Sequence, residues 1–306
     1  MLYRIFQRIN FCSDHFGMIS LCLYVRKMEL MILKRNIKNY LILIIFASGV
    51  FSGTLVAQEL KHFTTGGGAG FSKLRNTNMS PLLYSGISGH FELGYSYIKE
   101  KRMIGFRSAF FGGKLKPGIN PELSSSEMSS LRLNLQYRHL YKINFAEIQK
   151  LRLYAGFGMN NRDHVRIHNK FNNNNYDGDY NVNLSFTSTL SKALSVFERK
   201  TFITLDFSMP LISYMIGPSY SHPEPWEYLT DPDPNIFTFM KSGKFFTIDR
   251  YFLLNTRLNF FHFLNNGNAI GFSYEWEYLR NDAYNHLVSA GHHFSFTTLF
   301  NLKKDE

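Results

Sequence analysis

From about residue 66 to residue 302, segment after segment carries apolar or aromatic residues at one parity and polar, small or charged residues at the other. A period of two belongs to extended strands whose two faces meet unlike surroundings. The second such segment sets Leu83, Ile87, Phe91, Leu93, Tyr95 and Tyr97 against Tyr84, Gly86, Ser88, His90, Glu92, Gly94 and Ser96. The fourth sets Leu131, Leu133, Leu135, Tyr137 and Tyr141 against Arg132, Asn134, Gln136, Arg138 and Lys142. The same reading holds for the fifth (Leu151 to Asn160), the sixth (Asn181 to Thr187) and the ninth (Ile270 to Tyr278).

A soluble sandwich also alternates, so further features must choose. The segments run to about 10–16 residues, at or above the ~9–11 that a tilted strand needs to cross hydrocarbon. Their apolar face is rich in Phe and Tyr, with Tyr95, Tyr97, Tyr137, Tyr141 and Tyr278 toward segment ends, as interfacial aromatic girdles require. The polar face carries Arg and Glu in mid-strand, which a sandwich core does not tolerate unpaired. The expected fold is therefore all-β, an antiparallel up-and-down transmembrane barrel of about ten strands, with eight to twelve as the range.

The connections alternate in kind. Short turns are expected near residues 98–101, 144–149, 196–200 and 265–268, the last an Asn-Asn-Gly-Asn hairpin signal. Long loops are expected near 114–127, 161–178 and 217–246, with shorter ones at 75–80 and 281–285. An even strand count puts both chain ends on the short-turn side.

The first 57 residues read as a leader. Lys34, Arg35 and Lys38 precede the apolar run Leu41–Ala47, and Leu55-Val56-Ala57 offers a small-residue cleavage site. This is the pattern of a secretory signal peptide over 31–57, with 1–30 an over-extended start or a long n-region, and 58–306 as one barrel domain. Both cysteines, Cys12 and Cys22, fall before the cleavage point, so the mature chain is cysteine-free. Seven of 34 basic and two of 23 acidic residues also fall there, which leaves 27 against 21, or +6. That scattered excess, without a basic helix or recognition motif, argues against nucleic acid as a partner.

The architecture and the aromatic-rich last strand, Ala290 to Leu302, resemble the broad class of Gram-negative outer-membrane β-barrels. Here Phe300 is followed by Asn-Leu-Lys-Lys-Asp-Glu, whereas the class usually ends on an aromatic. The resemblance implies an outer-membrane location with both mature termini periplasmic. It also implies contact with outer-membrane lipid, lipopolysaccharide and the barrel-assembly machinery, and no cofactor.

Glu92, Asp206, Glu275 and Glu277, with Arg107, Arg132, Arg138, Arg152 and Arg257, occupy the polar parity and are expected to form a charge network in the lumen. A ten-strand barrel is barely wider than the eight-strand size that side chains fill, so a largely filled, salt-bridged lumen is expected. His293 and Ser295 form His-x-Ser on one strand face, a spacing that outer-membrane lipid hydrolases also use. The chemistry needs a carboxylate to orient the imidazole, and the parity turns this pair away from lipid, so they are weak catalytic candidates. His164 and His168 are expected in a solvated Asn-rich loop rather than as metal ligands, and no metal site is expected. Asp231-Pro-Asp-Pro-Asn235 lacks the glycine and distal glutamate of a calcium loop. Gly66-Gly-Gly-Ala-Gly70 lacks the Lys-Ser/Thr of a phosphate loop and instead permits close approach of neighbouring groups. In the Pro-stiffened stretch 217–246, Tyr220, Trp226 and Tyr228 are candidates for binding an extracellular ligand or partner protein.

The function expected from these residues is structural, surface-binding or assembly-partnering through the outer loops, without enzymatic activity. A narrow solute channel is the first alternative, and a membrane-lipid hydrolase using His293 and Ser295 is the second.

Overall fold

The computed structural model describes residues 60–77, 79–99, 101–118, 126–143, 151–168, 176–196, 199–217, 236–284 and 286–302. Residues 1–59, on which the signal-peptide expectation falls, and Tyr220, Trp226, Tyr228 and the Asp231–Asn235 segment lie outside the described residues. The strands are β1 (Leu60–Asn76), β2 (Ser80–Ile98), β3 (Arg102–Pro117), β4 (Met128–Ile143), β5 (Leu151–His168), β6 (Tyr176–Val196) and β7 (Arg199–Ile216). After a six-residue helix, α1 (Ile236–Lys241), come β8 (Lys244–Thr247), β9 (Tyr251–Phe263), β10 (Ala269–Asn281) and β11 (Leu287–Asn301).

Every pairing is antiparallel, each long strand pairs with its sequence neighbours, and β1 pairs with β11 to close the wall. The four-residue β8 pairs only with Ile212–Met215 of β7, while β9 takes Thr201–Ser208 of the same strand. The result is a closed barrel of ten long strands, with β8 as an addition at the long-loop end. Closure removes the edges that an open sheet would expose. The start of β1, Leu60, and the end of β11, Asn301, lie at the same rim as the 264–268 turn.

Parity assigns the faces as expected. Ile87 is 72 % exposed and Phe296 73 %, and they belong to an outward belt that includes Phe63, Phe91, Phe110, Phe157, Leu205, Leu258 and Ile270. Alternate residues such as Glu92, Arg132, Asn183 and Ser273 are buried inside. One irregularity resets the count. The register slips where Leu184 pairs with Ile212 but Ser185 with Pro210, so Leu211 bulges out. The inward parity of β7 therefore changes from Ser208 to Ser213. Pro210 has no N–H for the ladder, and a bulge is where a sheet tolerates it.

Three expectations need correction. The loop expected over 161–178 is mostly strand, since β5 runs to His168 and β6 starts at Tyr176. There Asn161 and Asp163 face outward and Arg162 and His164 inward, so both faces are polar and the amphipathic contrast that marks a strand is gone. Within 114–127, Lys114–Pro117 belong to β3. Within 217–246 the described part carries α1 and β8.

Candidate functional site

The lumen is layered along its length. Nearest the middle, Glu92 of β2 accepts from both terminal nitrogens of Arg257 on β9, Nη1 to Oε2 at 2.6 Å and Nη2 to Oε1 at 2.5 Å. Arg107 of β3 bridges Glu92 and Glu275, its Nε donating to Glu92 Oε2 at 2.9 Å and its Nη2 to Glu275 Oε2 at 2.5 Å. Alongside, Arg138 Nη1 donates to Asp206 Oδ1 at 2.8 Å, and Thr189 donates to the same oxygen at 2.6 Å.

One step toward the long loops, Glu277 Oε1 accepts from Arg132 Nη1 at 2.6 Å and Arg162 Nη2 at 2.8 Å. The Arg132 guanidinium also lies 3.9 Å over the Phe111 ring. A third layer is built on Arg166, which has no exposure at all. Its Nε donates to Asp177 Oδ2 at 3.0 Å, while Nη1 and Nη2 fork Asp179 at 3.0 and 2.6 Å. Asn76 of β1 donates to Asp177 from across the barrel. At the long-loop end, Leu74, Met79, Tyr84, Leu115, Met128, Met215, Tyr251, Leu253, Leu279 and Leu287 form an apolar cap.

Ionic layers this dense need room, and β1 makes it. A Cβ on inward-facing Gly68 would sit 1.9 Å from the Phe294 carbonyl oxygen, and one on Gly70 would sit 2.1 Å from His293 Nδ1. The glycine run therefore lets β11 and its histidine come close.

Of the nine lumen residues expected from the sequence, Glu92, Arg107, Glu275 and Arg257 come together, Arg132 joins Glu277, and Arg138 joins Asp206. Arg152 does not join them. It is exposed near the turn rim, and no described carboxylate pairs with it. Arg162, Arg166 and Asp177, which fall within the loop expected over 161–178, belong to the network together with Asp179. Continuing the inward parity of β5 past Asn160 would have found the two arginines. His164 and His168 likewise sit on the lumen wall rather than in a solvated loop. His164 bonds Ser130 Oγ at 2.8 Å, and His168 bonds the Tyr84 hydroxyl at 3.1 Å.

His293 and Ser295 are both buried inward, and neither ring nitrogen of His293 has a hydrogen-bond partner, so no dyad is formed between them. Among the described residues, no group of three or more His, Cys, Asp or Glu side chains could hold a metal ion.

Between the Glu92–Arg257 layer and the turn rim, the lumen holds a cavity of about 620 Å³. Side chains crowd the lumen toward the long loops, while toward the turn rim it is open, unlike the largely filled lumen expected.

With ten strands closed on themselves, an apolar belt outside and ion pairs within, the deciding features are together. The architecture is that of an outer-membrane β-barrel. No protein-family model and no curated protein matches the chain. Among solved structures, the barrel is similar to the outer membrane protease OmpT from Escherichia coli, with 9 % identity and a TM-score of 0.45 over 82 % of this chain and 99 % of that one. It is similar to the translocator domain of the autotransporter NalP from Neisseria meningitidis, with 6 % identity and a TM-score of 0.35 over 88 % and 96 %. It is also similar to Neisserial surface protein A, with 7 % identity and a TM-score of 0.29 over 78 % and 97 %. At such identities and scores, none of these likenesses carries an argument about what the barrel does.

Proposed function

We propose that the protein is an integral outer-membrane barrel that seals rather than conducts, and that it works by binding at its ends. The observation that carries this reading is Arg132–Glu277, a 2.6 Å contact between β4 and β10, which stand five strands apart around a ten-strand wall. A pair that spans the diameter obstructs the lumen at that level. Arg162 widens the obstruction, and the apolar cap closes the long-loop end.

In this reading the start of β1, the end of β11 and the short turns face the periplasm. The outward belt meets lipid, and the barrel-assembly machinery inserts the chain. The long-loop rim would meet lipopolysaccharide or an outside protein. Phe237, 80 % exposed, and Phe245, 74 % exposed, provide aromatic surface there for such a contact.

Single-protein recordings in planar bilayers test the reading. The expected result is no defined conductance step for the wild type, because the Glu92 layer, the Arg132–Glu277–Arg162 layer, the Arg166 layer and the apolar cap stand in series along the lumen. Steady unitary conductance from the wild type would overturn it in favour of a narrow channel.

A further inference from the structure

We infer that the turn-end cavity is a binding site for a small organic anion with an apolar or aromatic body. The cavity has three properties that point to this ligand class. First, its volume of about 620 Å³ lies inside the range of roughly 300–1,000 Å³ that small-molecule sites occupy. It is blind, because the Glu92–Arg107–Arg257 layer forms its floor.

Second, the lining is electropositive. It contains Arg107, Arg138, Arg152, Arg199, Lys200 and Arg257 against the two carboxylates of Glu92 and Asp206, a surplus of four positive charges. Glu275, behind the floor, touches Arg107 and Arg257 and reduces the surplus to three. Three cations account for that remainder. Arg152, Arg199 and Lys200 lie at the rim, are exposed, and have no ion-pair partner among the described residues. The floor arginines are occupied by carboxylates; the rim cations are not. Cations gathered over a low-dielectric recess raise the local concentration of anions, and guanidinium groups match carboxylate, sulfonate or phosphate oxygens in geometry as well as charge.

Third, apolar surface stands next to the cations. Arg152 comes from β5 and Lys200 from β7, while Phe202 of β7 and Phe261 and Phe263 of β9 line the neighbouring wall. The Phe202 and Phe263 rings meet edge to face at 5.4 Å between centroids. Thr187, Ser191 and Thr204 also line the cavity with their hydroxyls. One molecule could place its acidic group on the rim cations and its body on the rings. A fully polar solute would waste the rings, and a cation would meet three like charges.

This inference goes beyond the sealing role, and the two fail separately, because a conducting barrel could still bind the ligand and a sealed one need not. The test uses the full mature barrel in phosphatidylcholine nanodiscs, titrated calorimetrically with naphthalene-2-sulfonate. The uncharged naphthalene-2-sulfonamide and the cationic 2-naphthylmethylammonium serve as comparisons, and empty nanodiscs give the blank. Saturable one-to-one binding of the sulfonate is expected, with the sulfonamide at least about tenfold weaker and the ammonium not bound. Arg152→Gln/Lys200→Gln should weaken the sulfonate by about tenfold or more, and Ser191→Trp, which fills the mouth, should abolish binding. Heat-modifiable gel mobility verifies that each variant is folded; the Arg152 and Lys200 positions make no pairing on which folding depends. Equal affinity for sulfonate and sulfonamide, unchanged affinity in the charge variant, or no saturable heat from the wild type with the sulfonate would each overturn the proposal.

Discussion

Arg132 and Glu277 meet across the full width of the barrel, the arginine on β4 and the glutamate on β10 with five strand steps between them in either direction. Local pairings hold neighbouring strands together, whereas this one holds opposite walls. It is buried on both sides, Arg132 at 7 % exposure and Glu277 at 2 %.

Breaking that contact should cost stability in proportion to its burial. Arg132→Ala leaves Glu277 with Arg162 as its one remaining described partner, so the loss should fall near the lower end of the ~3–5 kcal/mol typical of a broken buried pair. Arg152→Ala, at the exposed rim, should change stability by less than about 0.5 kcal/mol. Urea unfolding of both variants in the same lipid measures the contrast, and equal effects would argue against the layered lumen.

Arg166 should be the more costly deletion. With it gone, Asp177 and Asp179 share a buried site without the cation that now bonds both. Arg166→Gln is expected to destabilise by about 3–5 kcal/mol, and Asp177→Asn/Asp179→Asn in the same background should recover part of the loss. The double-mutant cycle is read from unfolding midpoints.

The glycine run on β1 makes a parity-specific prediction. Gly68→Ala would drive a methyl into the Phe294 carbonyl, and the backbone there cannot move aside cheaply. A loss of about 1–3 kcal/mol is expected, as for overpacking generally. Gly67→Ala, whose Cβ would lie 3.5 Å from the His90 carbonyl oxygen on the outward face, should be close to neutral. Folded yield after refolding separates the two.

At the long-loop end, Asp282 sits between Arg280 Nε at 2.5 Å and His286 Nδ1 at 2.6 Å. Partial burial pushes its carboxyl up, but the hydrogen bonds from His286 and Arg280 outweigh that and hold it below the ordinary carboxylate range. A carboxyl depressed in the folded state adds stability above its unfolded value of about 3.9, and that stability is lost as pH falls through the lower folded value. Carbon-detected NMR of the Asp282 carboxyl should give a midpoint under about 3.9, which rises in His286→Ala.

Much of the wall was legible because lipid imposes a strict rule on it. Ile87, Phe91 and Leu93 against His90 and Glu92 mark a strand with unlike faces, and segment length, tyrosines at the segment ends and mid-strand charges point its apolar face to hydrocarbon. Where that solvent ends, the rule ends too. The last turns of β5 and the first of β6 rise past the apolar belt, so Asn161, Asp163, Arg162 and His164 read as loop although they are strand. Leu74 and Leu279 fall on the inward parity without being polar, and they belong to the cap. Arg132 and Arg152 share residue type and parity, and only their heights in the barrel give them different neighbours. Height depends on where each strand begins relative to the others, which no single segment records. The cavity depends on the shapes of side chains from many strands at once and left no trace in any one of them.

The seam between β1 and β11 has a consequence for how the molecule is made. His62 lies opposite Asn301 and Asn76 opposite Leu287, so the first strand of the wall waits for the last. Contacts between such distant parts of a chain form late and slowly. Until residue 301 is available, both flanking strands carry an unsatisfied ladder open to any passing extended peptide. A chain truncated before residue 287 should therefore not yield a smaller tube, but a curled ribbon prone to pair with its own copies.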